Sequence, residues 1–258
     1  MTLSIIILNY KNPALLRLCL KSITKSLDSK TKYEIIVVDS ESSVETRNVV
    51  TDEFKNVKLI PFKENVGYTR GNNVGIKESC GDYILLLNPD IILLDNCAEE
   101  MMNFLEQNKN VGLIGPQLLN FDGTRQDSCF RFVTIPIVFL RRSFWGKLPF
   151  TKKALDLFLM RDKDLSKNQE VDWLMGSAAM VSRNAFNRVG MMNEKFFHYM
   201  SDVDWARRFW ENGYKVVYYP EVSMYHYHQR SSRGGMLNLL FKREARWHLK
   251  DAIKYFSR

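Results

Sequence analysis

The feature that most constrains the fold is a series of short apolar runs, each followed at once by polar residues. Ser4–Leu8, Tyr33–Val38 and Tyr83–Leu87 are the clearest runs. Their short length and their high content of apolar residues, many of them β-branched, are typical of strands buried on both faces. Segments with helical spacing, such as Thr69–Ser79 and Ser201–Asn212, alternate with them. This alternation predicts an α/β fold with a mostly parallel, Rossmann-like central sheet flanked by helices.

Polar residues come directly after these strands. Asn9 follows the first strand, Asp39 the second, and Asn88 and Asp90 the run that ends at Leu87. Because ligands of such sheets bind beyond the carboxyl ends of the strands, these side chains are predicted to meet in one site. Further strands are predicted at Lys58–Phe62, Leu113–Leu118 and Lys215–Tyr219, the last ending at Pro220, and residues 120–170 are predicted as an irregular excursion.

Composition is that of a soluble globular protein. Of 258 residues, 45% are hydrophobic and 26% are charged, which excludes disordered, collagen-like and coiled-coil chains. No apolar run reaches transmembrane length. No basic residue precedes the first apolar stretch, so a secretory signal is not expected. The four cysteines lack the spacing of a zinc site and are interpreted as idle thiols of a reducing compartment.

Two carboxylates at the strand ends have both a structural and a chemical interpretation. Asp90 follows Pro89 and could simply stabilise a turn, or it could bind Mg²⁺ or Mn²⁺ that bridges substrate phosphates, with Asn88 in support. Asp39 could cap a buried sheet edge, or its carboxylate could accept the imide N–H of a uracil or thymine ring. The amides and glycines of residues 65–75 could contact a ligand closely, although many loops share that composition.

Asp202 and Asp204 stand at the start of a predicted helix, where capping alone favours carboxylates. Asp204 precedes Arg208 by four residues and is assigned to an ion pair on the helix. Asp202 is the candidate general base, because the aromatic residues before it would desolvate its carboxylate and raise its basicity.

His226 and His228 follow the last predicted strand and point to the same side of an extended segment. They could be ordinary surface histidines, or one imidazole could bind a metal. In that second case Arg230 and Ser231, which come next, would suit a diphosphate.

Taken in order, these motifs resemble the family 2 glycosyltransferases with the GT-A fold. Asn-Val-Gly-Tyr and Gly-Asn-Asn-Val-Gly-Ile at residues 65–76, then Gly-Asp-Tyr-Ile-Leu-Leu-Leu-Asn-Pro-Asp at 81–90, carry a resemblance that spans about residues 3–233. Asn-Pro-Asp in place of Asp-x-Asp is similar to the rhamnosyltransferase-like branch. The resemblance implies inverting transfer of L-rhamnose from dTDP-L-rhamnose, or of a sugar from a UDP donor, to a hydroxyl of a lipid-linked saccharide or growing cell-surface polysaccharide.

The resemblance also implies roles for individual residues. The base would be Asp202, and Mn²⁺ or Mg²⁺ would bind at Asp90 and His226. The nucleotide sugar would contact Tyr10, Asp39, Asn65, Gly67, Asn73, Asn88, Arg230 and Ser231. The donor sugar and acceptor would meet Trp173, Gly176 and Ser177. The sequence departs from the family at Ser201, which commonly is Glu, and at Asn88, which replaces the first carboxylate of Asp-x-Asp, so metal affinity is expected to be modest.

Basic charge is concentrated near the C-terminus. Residues 242–258 carry six basic and two acidic side chains, half of the formal net charge of +8. Their pattern predicts a basic amphipathic helix (residues 236–258, after a catalytic domain over 1–235) that lies on an anionic membrane. The basic and aromatic segment Arg141–Lys153 favours the same interpretation, which implies a cytoplasmic protein at the inner face of the membrane. The alternatives are a helix packed on the domain's own core and a dimer contact.

Other functions fit the sequence less well. A nucleotidyltransferase normally has a glycine-rich loop after its first strand, which Asn9–Pro13 is not. A nucleic-acid-binding protein would explain the charge, but no nucleic-acid motif occurs, so no such partner is expected. A non-catalytic homologue is a third alternative, given Ser201 and Asn88. The oligomeric state is not predicted.

Overall fold

A computed structural model describes residues 1–227 and 243–257. Its strands are β1 Thr2–Tyr10, β2 Lys32–Ser40, β3 Val57–Pro61, β4 Tyr83–Leu87, β5 Ile91–Ile92, β6 Val111–Leu119, β7 Cys129–Phe130, β8 Gln169–Glu170, β9 Trp173–Leu174, β10 Ala178–Ser182 and β11 Lys215–His226. Its helices are α1 Pro13–Ser26, α2 Val44–Asn48, α3 Gly67–Lys77, α4 Cys97–Gln107, α5 Ile135–Arg142, α6 Pro149–Phe158, α7 Arg183–Val189, α8 Ser201–Glu211 and α9 Arg243–Phe256. The structure also contains a π-helical turn at Val49–Glu53 and a 3₁₀ turn at Phe144–Lys147. None of the helices described could span a bilayer, being too short or too polar.

The central sheet has the order β3-β2-β1-β4-β10-β6-β11-β5, with β8 also paired to β11. Strands β3, β2, β1 and β4 are parallel, as are β6 and β11. Strand β10 is inserted antiparallel between β4 and β6. The α/β prediction is confirmed, and the reversed strand β10 is the feature that alternation alone did not reveal.

The core lies on both faces of this sheet because successive side chains of a strand point to opposite faces. On β1, Ile5 and Ile7 pack with Leu16 of α1 and with α4. Ile6 points the other way and packs in the cluster that includes residues of α3, α7 and α8. Residues 3–9 of this strand are therefore buried on both faces, as the apolar run at Ser4–Leu8 predicted.

Helices α3 and α8 begin within two residues of their predicted starts, but β11 does not end at Pro220. The pairing of β11 with β6 shifts register between Tyr219 and Ser223. This irregularity accommodates a proline, which cannot donate a ladder hydrogen bond. The strand therefore continues to His226, which pairs with Ile91 of β5. Residues 120–170, predicted to be irregular, contain α5 and α6.

Helix α9 packs on the domain. Ala245, Ala252 and Tyr255 are buried, whereas Leu249 and Ile253 are exposed. The apolar face predicted for this segment is thus divided between the domain core and the surface. Contact with the core was one of the alternatives considered for the tail. The predicted boundary at residues 235 and 236 lies outside the described residues.

Candidate active site

The carboxyl ends of the parallel strands bring the predicted polar residues to one edge of the sheet. The register of β1 and β2 pairs Asn9 with Asp39. Strand β10 begins opposite the end of β4, with Ala178 paired to Leu87. The residues just before β10 therefore lie beside those just after β4. The backbone N–H of Asn88 donates to the Ser177 carbonyl at 2.8 Å, and the Asn88 Nδ2 lies 3.4 Å from Ser177 Oγ.

Asp202 lies in the first turn of α8, next to Gly176 and Tyr68. Its Oδ2 accepts a hydrogen bond from the Gly176 N–H at 3.3 Å, and its Oδ1 accepts one from the Val203 N–H at 2.9 Å. The Tyr68 hydroxyl donates to the Gly176 carbonyl at 2.6 Å. A β-carbon at Gly176 would lie 2.3 Å from Tyr68 Oη and 3.5 Å from the Asp202 β-carbon. The three residues therefore form one closely packed group.

Burial changes the acid–base properties of this group. Desolvation raises the pKa of the Asp202 carboxyl to about 6, although its backbone hydrogen bonds act in the opposite direction. Burial, reinforced by the charge of Asp202, raises the pKa of the Tyr68 phenol, so Tyr68 stays protonated. A partly buried carboxylate of raised basicity is suited to take a proton from a hydroxyl near neutral pH.

Asp90 and His226 meet at the ends of β4 and β11. His226 Nε2 lies 3.6 Å from Asp90 Oδ1, and the Tyr227 N–H donates to the Asp90 carbonyl at 2.9 Å. Burial raises the pKa of the Asp90 carboxyl to about 6. The continuation of β11 beyond Pro220 is what brings His226 to this position.

Gln126 fixes the His226 ring, a role that was not predicted from the sequence. The Gln126 Nε2 donates to the His226 carbonyl at 2.8 Å and to Asn120 Oδ1 at 2.8 Å, which assigns its Oε1 as an acceptor. His226 Nδ1 lies 2.8 Å from that oxygen and therefore carries the proton. In a neutral ring, Nε2 is then the basic nitrogen, and it is the one that faces Asp90. No local motif could have found Gln126, because it lies 100 residues from His226.

These residues fit a divalent cation. Within the described chain, the Asp90 Oδ1 is buried and accepts no hydrogen bond, and burial without a partner is costly for a carboxylate oxygen. A cation bound here would be coordinated by this oxygen and by the basic nitrogen of His226. Across residues 1–227 and 243–257, no three His, Cys, Asp or Glu side chains are grouped to hold a metal. Two protein ligands are nevertheless enough where substrate phosphates and water complete the coordination.

Asn9 and Asp39 form a buried polar pair near the start of α2. Asn9 Nδ2 donates to Asp39 Oδ1 at 2.7 Å and lies 3.4 Å from Thr46 Oγ1. The Asn9 Oδ1 and Asp39 Oδ2 have no hydrogen-bond partner among the described residues. Asp39 is fully buried, so its predicted contact with a base requires neighbouring side chains to move.

A surface depression lies beside this pair. It has a volume of about 380 Å³ and is lined by Lys11, Pro13, Glu41, Ser42, Ser43 and Glu45. Lys11 and Glu41 each follow a strand with positive φ (51° and 56°) and form an ion pair. Tyr10, 42% exposed, lies under the Lys11 ammonium, 5.5 Å from it. An aromatic ring at the rim of a polar depression can stack on a nucleobase.

Asn65 and Gly67 shape the start of α3. Asn65 Oδ1 accepts from the Gly67 N–H at 2.9 Å and from Ser40 Oγ at 3.2 Å. Gly67 has a φ of +78°, and a β-carbon there would lie 2.4 Å from the Phe197 carbonyl oxygen. This position therefore requires glycine, both for its backbone angle and for the close approach of the 197 loop.

Two predicted contact residues, Asn73 and Trp173, are buried and make hydrogen bonds inside the domain. Asn73 is buried, and its amide bonds the Met192 carbonyl, the Met192 N–H and Glu194 Oε1, so it fastens the 192–194 loop and does not face a pocket. Trp173 is buried, donates from Nε1 to the Arg131 carbonyl and stacks on Phe130 at 4.4 Å. Both side chains are thus held by contacts inside the domain, and their roles in binding stay predictions.

Of the remaining predictions, the ion pair of Asp204 is confirmed, and three others concern residues outside the part of the chain that the structure describes. Asp204 is buried and pairs with Arg208 at 3.1 Å, as its helical spacing indicated. Arg230 and Ser231, predicted for the diphosphate, and His228 lie outside the described residues.

Comparison with known proteins identifies relatives of the chain. A family model described as Glycosyl transferase family 2 matches residues 4–190. The N-acetylglucosaminyl-diphospho-decaprenol L-rhamnosyltransferase of Mycobacterium tuberculosis is 26% identical over 222 residues, which are 80% of this chain and 70% of that protein. The rhamnosyltransferase WbbL of Escherichia coli is 24% identical over 235 residues, which are 88% of this chain and 83% of that protein.

Solved structures show the same fold. The mannosyltransferase PcManGT from Pyrobaculum calidifontis, in complex with GDP-Man and Mn²⁺, superposes with a TM-score of 0.63 at 17% identity and is matched by 99% of this chain. The chain covers 64% of that structure and 36% of another, S. aureus TarS. The GT-A architecture is therefore shared, while these solved chains are longer.

Proposed function

The chain belongs to glycosyl transferase family 2, and from this membership we propose that it is an inverting rhamnosyltransferase. It would move L-rhamnose from dTDP-L-rhamnose to a hydroxyl of a lipid-linked saccharide or of a growing cell-surface polysaccharide. The support is a partly buried carboxylate, Asp202, at the sheet edge that also carries the Asp90–His226 pair, together with rhamnosyltransferases among the relatives.

Asp202 would act as the general base. Each of its oxygens accepts one backbone hydrogen bond, and a carboxylate oxygen can accept two. Asp202 can therefore also receive the hydrogen bond of an acceptor hydroxyl and then its proton. Its pKa of about 6 leaves it ionised at neutral pH while making it a stronger base than an exposed aspartate.

Attack by the acceptor oxygen on the anomeric carbon would form the new glycosidic bond as the bond to the diphosphate breaks. Tyr68 and Gly176 would hold Asp202 in line for this step, because their contacts fix its carboxylate. Asp90 and His226 would hold Mn²⁺ or Mg²⁺, which supplies charge stabilisation to the departing diphosphate. A single displacement of this kind inverts the anomeric configuration.

The nucleotide would lie over the depression at Lys11, with its base near Asp39 and Tyr10. The Asn9–Asp39 pair offers two acceptor oxygens that lack partners among the described residues. The imide N–H of thymine or uracil would satisfy one of them once neighbouring side chains move to admit the base. Asn65 and Gly67 would place the start of α3 beside the nucleotide.

Calorimetric titration with dTDP, UDP and GDP, each with and without Mn²⁺, tests this proposal first. We expect dTDP to bind, with higher affinity when Mn²⁺ is present, and we expect the Asp90→Ala variant to lose the metal effect. Release of dTDP from dTDP-L-rhamnose should then depend on a polyprenyl-diphosphate N-acetylglucosamine acceptor. Preference for UDP would instead support a UDP-sugar donor, and failure of all three nucleotides to bind would refute a transferase function.

Attachment to an anionic membrane surface is a further part of the proposal. Several large apolar side chains of α5, α6 and the turn between them are exposed: Ile135, Phe139, Trp145 and Phe150. Exposed lysines 152 and 153 accompany them, a combination that suits the interface of anionic lipids. Co-sedimentation with phosphatidylglycerol vesicles should exceed that with phosphatidylcholine vesicles and should weaken in an Ile135→Ser/Phe150→Ser variant. Equal sedimentation of the variant would exclude this surface.

A further inference from the structure

Helix α9 inserts a carboxylate into the loop that precedes the candidate base. Asp251 is buried, with 1% of its surface exposed. It accepts hydrogen bonds from three consecutive backbone N–H groups: those of Phe197 at 3.1 and 3.2 Å, His198 at 2.9 Å and Tyr199 at 3.0 Å. The next residue, Met200, has a φ of 65° and leads directly into α8.

Three successive N–H groups that converge on one point form a concave site for an anion. Asp251 supplies a charged acceptor to these donors, and hydrogen bonds to a charged acceptor are stronger than those to a neutral one. Lys254 partly balances the buried charge at 3.7 Å and donates to the Lys195 carbonyl at 2.5 Å. The loop is thus held from α9 by a compensated carboxylate.

The same loop contacts the active-site group on its other side. The Phe197 carbonyl receives the Thr69 N–H at 3.5 Å and lies against Gly67. Tyr68, between these two residues, bonds the Gly176 carbonyl, and the Gly176 N–H bonds Asp202. A displacement of the loop would therefore move the first turn of α3 and the first turn of α8 together.

We propose that Asp251 is a positioning residue for Asp202, acting through the loop at residues 197–199. The proposal rests on the role of Asp202 as the base. It makes α9, which lies beyond the part of the chain that the family model matches, a component of the catalytic unit. Asp251 contacts backbone N–H groups and would touch neither donor nor acceptor.

Substitution of Asp251 tests the proposal. Asp251→Ala removes all of the acceptors, whereas Asp251→Asn retains one carbonyl oxygen in the same shape. Tyr255→Phe is the matched control, because Tyr255 lies on the same helix as Asp251. This substitution removes the hydrogen bonds between the Tyr255 hydroxyl and Arg207 and leaves the loop contacts of Asp251 intact. Melting temperature and the stoichiometry of dTDP binding identify the folded fraction of each variant.

We expect kcat per binding-competent molecule to fall about tenfold to a hundredfold in Asp251→Ala and less in Asp251→Asn, because small displacements of reacting groups cost factors of this size. The KM for dTDP-L-rhamnose should change less than about twofold, and Tyr255→Phe should retain kcat. A purely structural role would instead lower binding stoichiometry and activity in parallel in both Asp251 variants, with kcat per competent molecule unchanged, and would overturn the proposal.

A second readout does not depend on turnover. The pKa of the Asp202 carboxyl, followed by carbon NMR with Asp202→Asn for assignment, should fall below about 6 in Asp251→Asn as solvent reaches it, and should stay unchanged in Tyr255→Phe. An unchanged pKa with unchanged kcat would refute the positioning role. If the pKa shifts but the Asp202→Asn variant is fully active, the assignment of Asp202 as the base is refuted. The structural coupling of Asp251 to Asp202 through the loop at residues 197–199 would then still hold.

Discussion

Gly176→Ala is the substitution whose effect the geometry determines most sharply. The added methyl carbon would lie 2.3 Å from Tyr68 Oη, whereas ordinary contacts begin at 3.4 Å. The hydroxyl must therefore move by roughly 1 Å, and its 2.6 Å hydrogen bond to the Gly176 carbonyl is lost. Because the neighbouring Gly176 N–H holds Asp202, the carboxylate moves as well. A misplacement of about 1 Å can cost about a hundredfold in rate, so we expect kcat to fall by that order.

The rescue variant makes this prediction specific. In Gly176→Ala/Tyr68→Phe the offending hydroxyl is absent, and the nearest ring carbon would lie 3.0 Å from the new methyl group. The remaining overlap is a few tenths of an ångström, so the double variant should regain at least about tenfold of the lost kcat, which corresponds to about 1.4 kcal/mol of transition-state free energy. Strictly additive losses would contradict the steric explanation.

Gly213→Ala provides the control for stability. Gly213 has a φ of +79°, with nothing within 4 Å of the added carbon, and it lies just beyond the far end of α8 from Asp202. Backbone strain should lower the stability of this variant by about 1 to 2 kcal/mol without changing kcat. The assay is release of dTDP from dTDP-L-rhamnose at saturating acceptor, with melting temperature recorded for every variant. A kcat for Gly176→Ala within about twofold of the unmodified protein would refute the reasoning.

Three further predictions follow from the buried carboxylates and their neighbours. Burial raises the Asp202 pKa from 3.8 to about 6 in the folded state, so ionisation of Asp202 lowers stability as the pH rises from about 4 to about 6. In urea titrations, Asp202→Asn should therefore be more stable than the unmodified protein at pH 7.5, by no more than about 3 kcal/mol, and this advantage should be gone below pH 4. The kcat/KM of the unmodified protein should rise with pH and level off above about 6. Gln126→Leu removes the side chain that bonds His226 Nδ1. Measured by calorimetry, dTDP binding in the presence of Mn²⁺ should weaken about tenfold to a hundredfold, with little change in metal-free binding. An equal loss in both conditions would exclude a metal-positioning role.

The strands and the edge that carries the site could be predicted from the sequence because each depends on local patterns. Ser4–Leu8 is almost wholly apolar, and Asn9, Asp39 and Asp90 each come after such a run, so a parallel sheet places them at the same edge without further information. Asp202 could be proposed because it opens a strongly patterned helix after aromatic residues. These are properties of contiguous residues.

The contacts that could not be predicted join distant segments. Gln126 supports His226 across 100 residues, and Asp251 holds the 197 loop across 54. Asn73 has the composition of a ligand-binding loop, but its amide is occupied by Met192 and Glu194. Pro220 predicted the end of a strand, yet an irregularity in pairing lets β11 continue. In each case tertiary packing decided the role of a residue whose local signal was ambiguous.

The reversed strand β10 has a consequence for how the chain is made. Strand β4 has β1 on one side as soon as it is synthesised, but its other edge is covered only by residues 178–182, which the ribosome adds about 90 residues later. Until then a fully apolar strand, Tyr83–Leu87, presents unpaired N–H and C=O groups, a template for pairing with another nascent chain. Fragments that stop between β6 and β10 should therefore aggregate during expression. When β10 pairs with β4, it also brings Ser177 to Asn88 for the first time. The step that removes the aggregation-prone edge is therefore also the step that first assembles this part of the site.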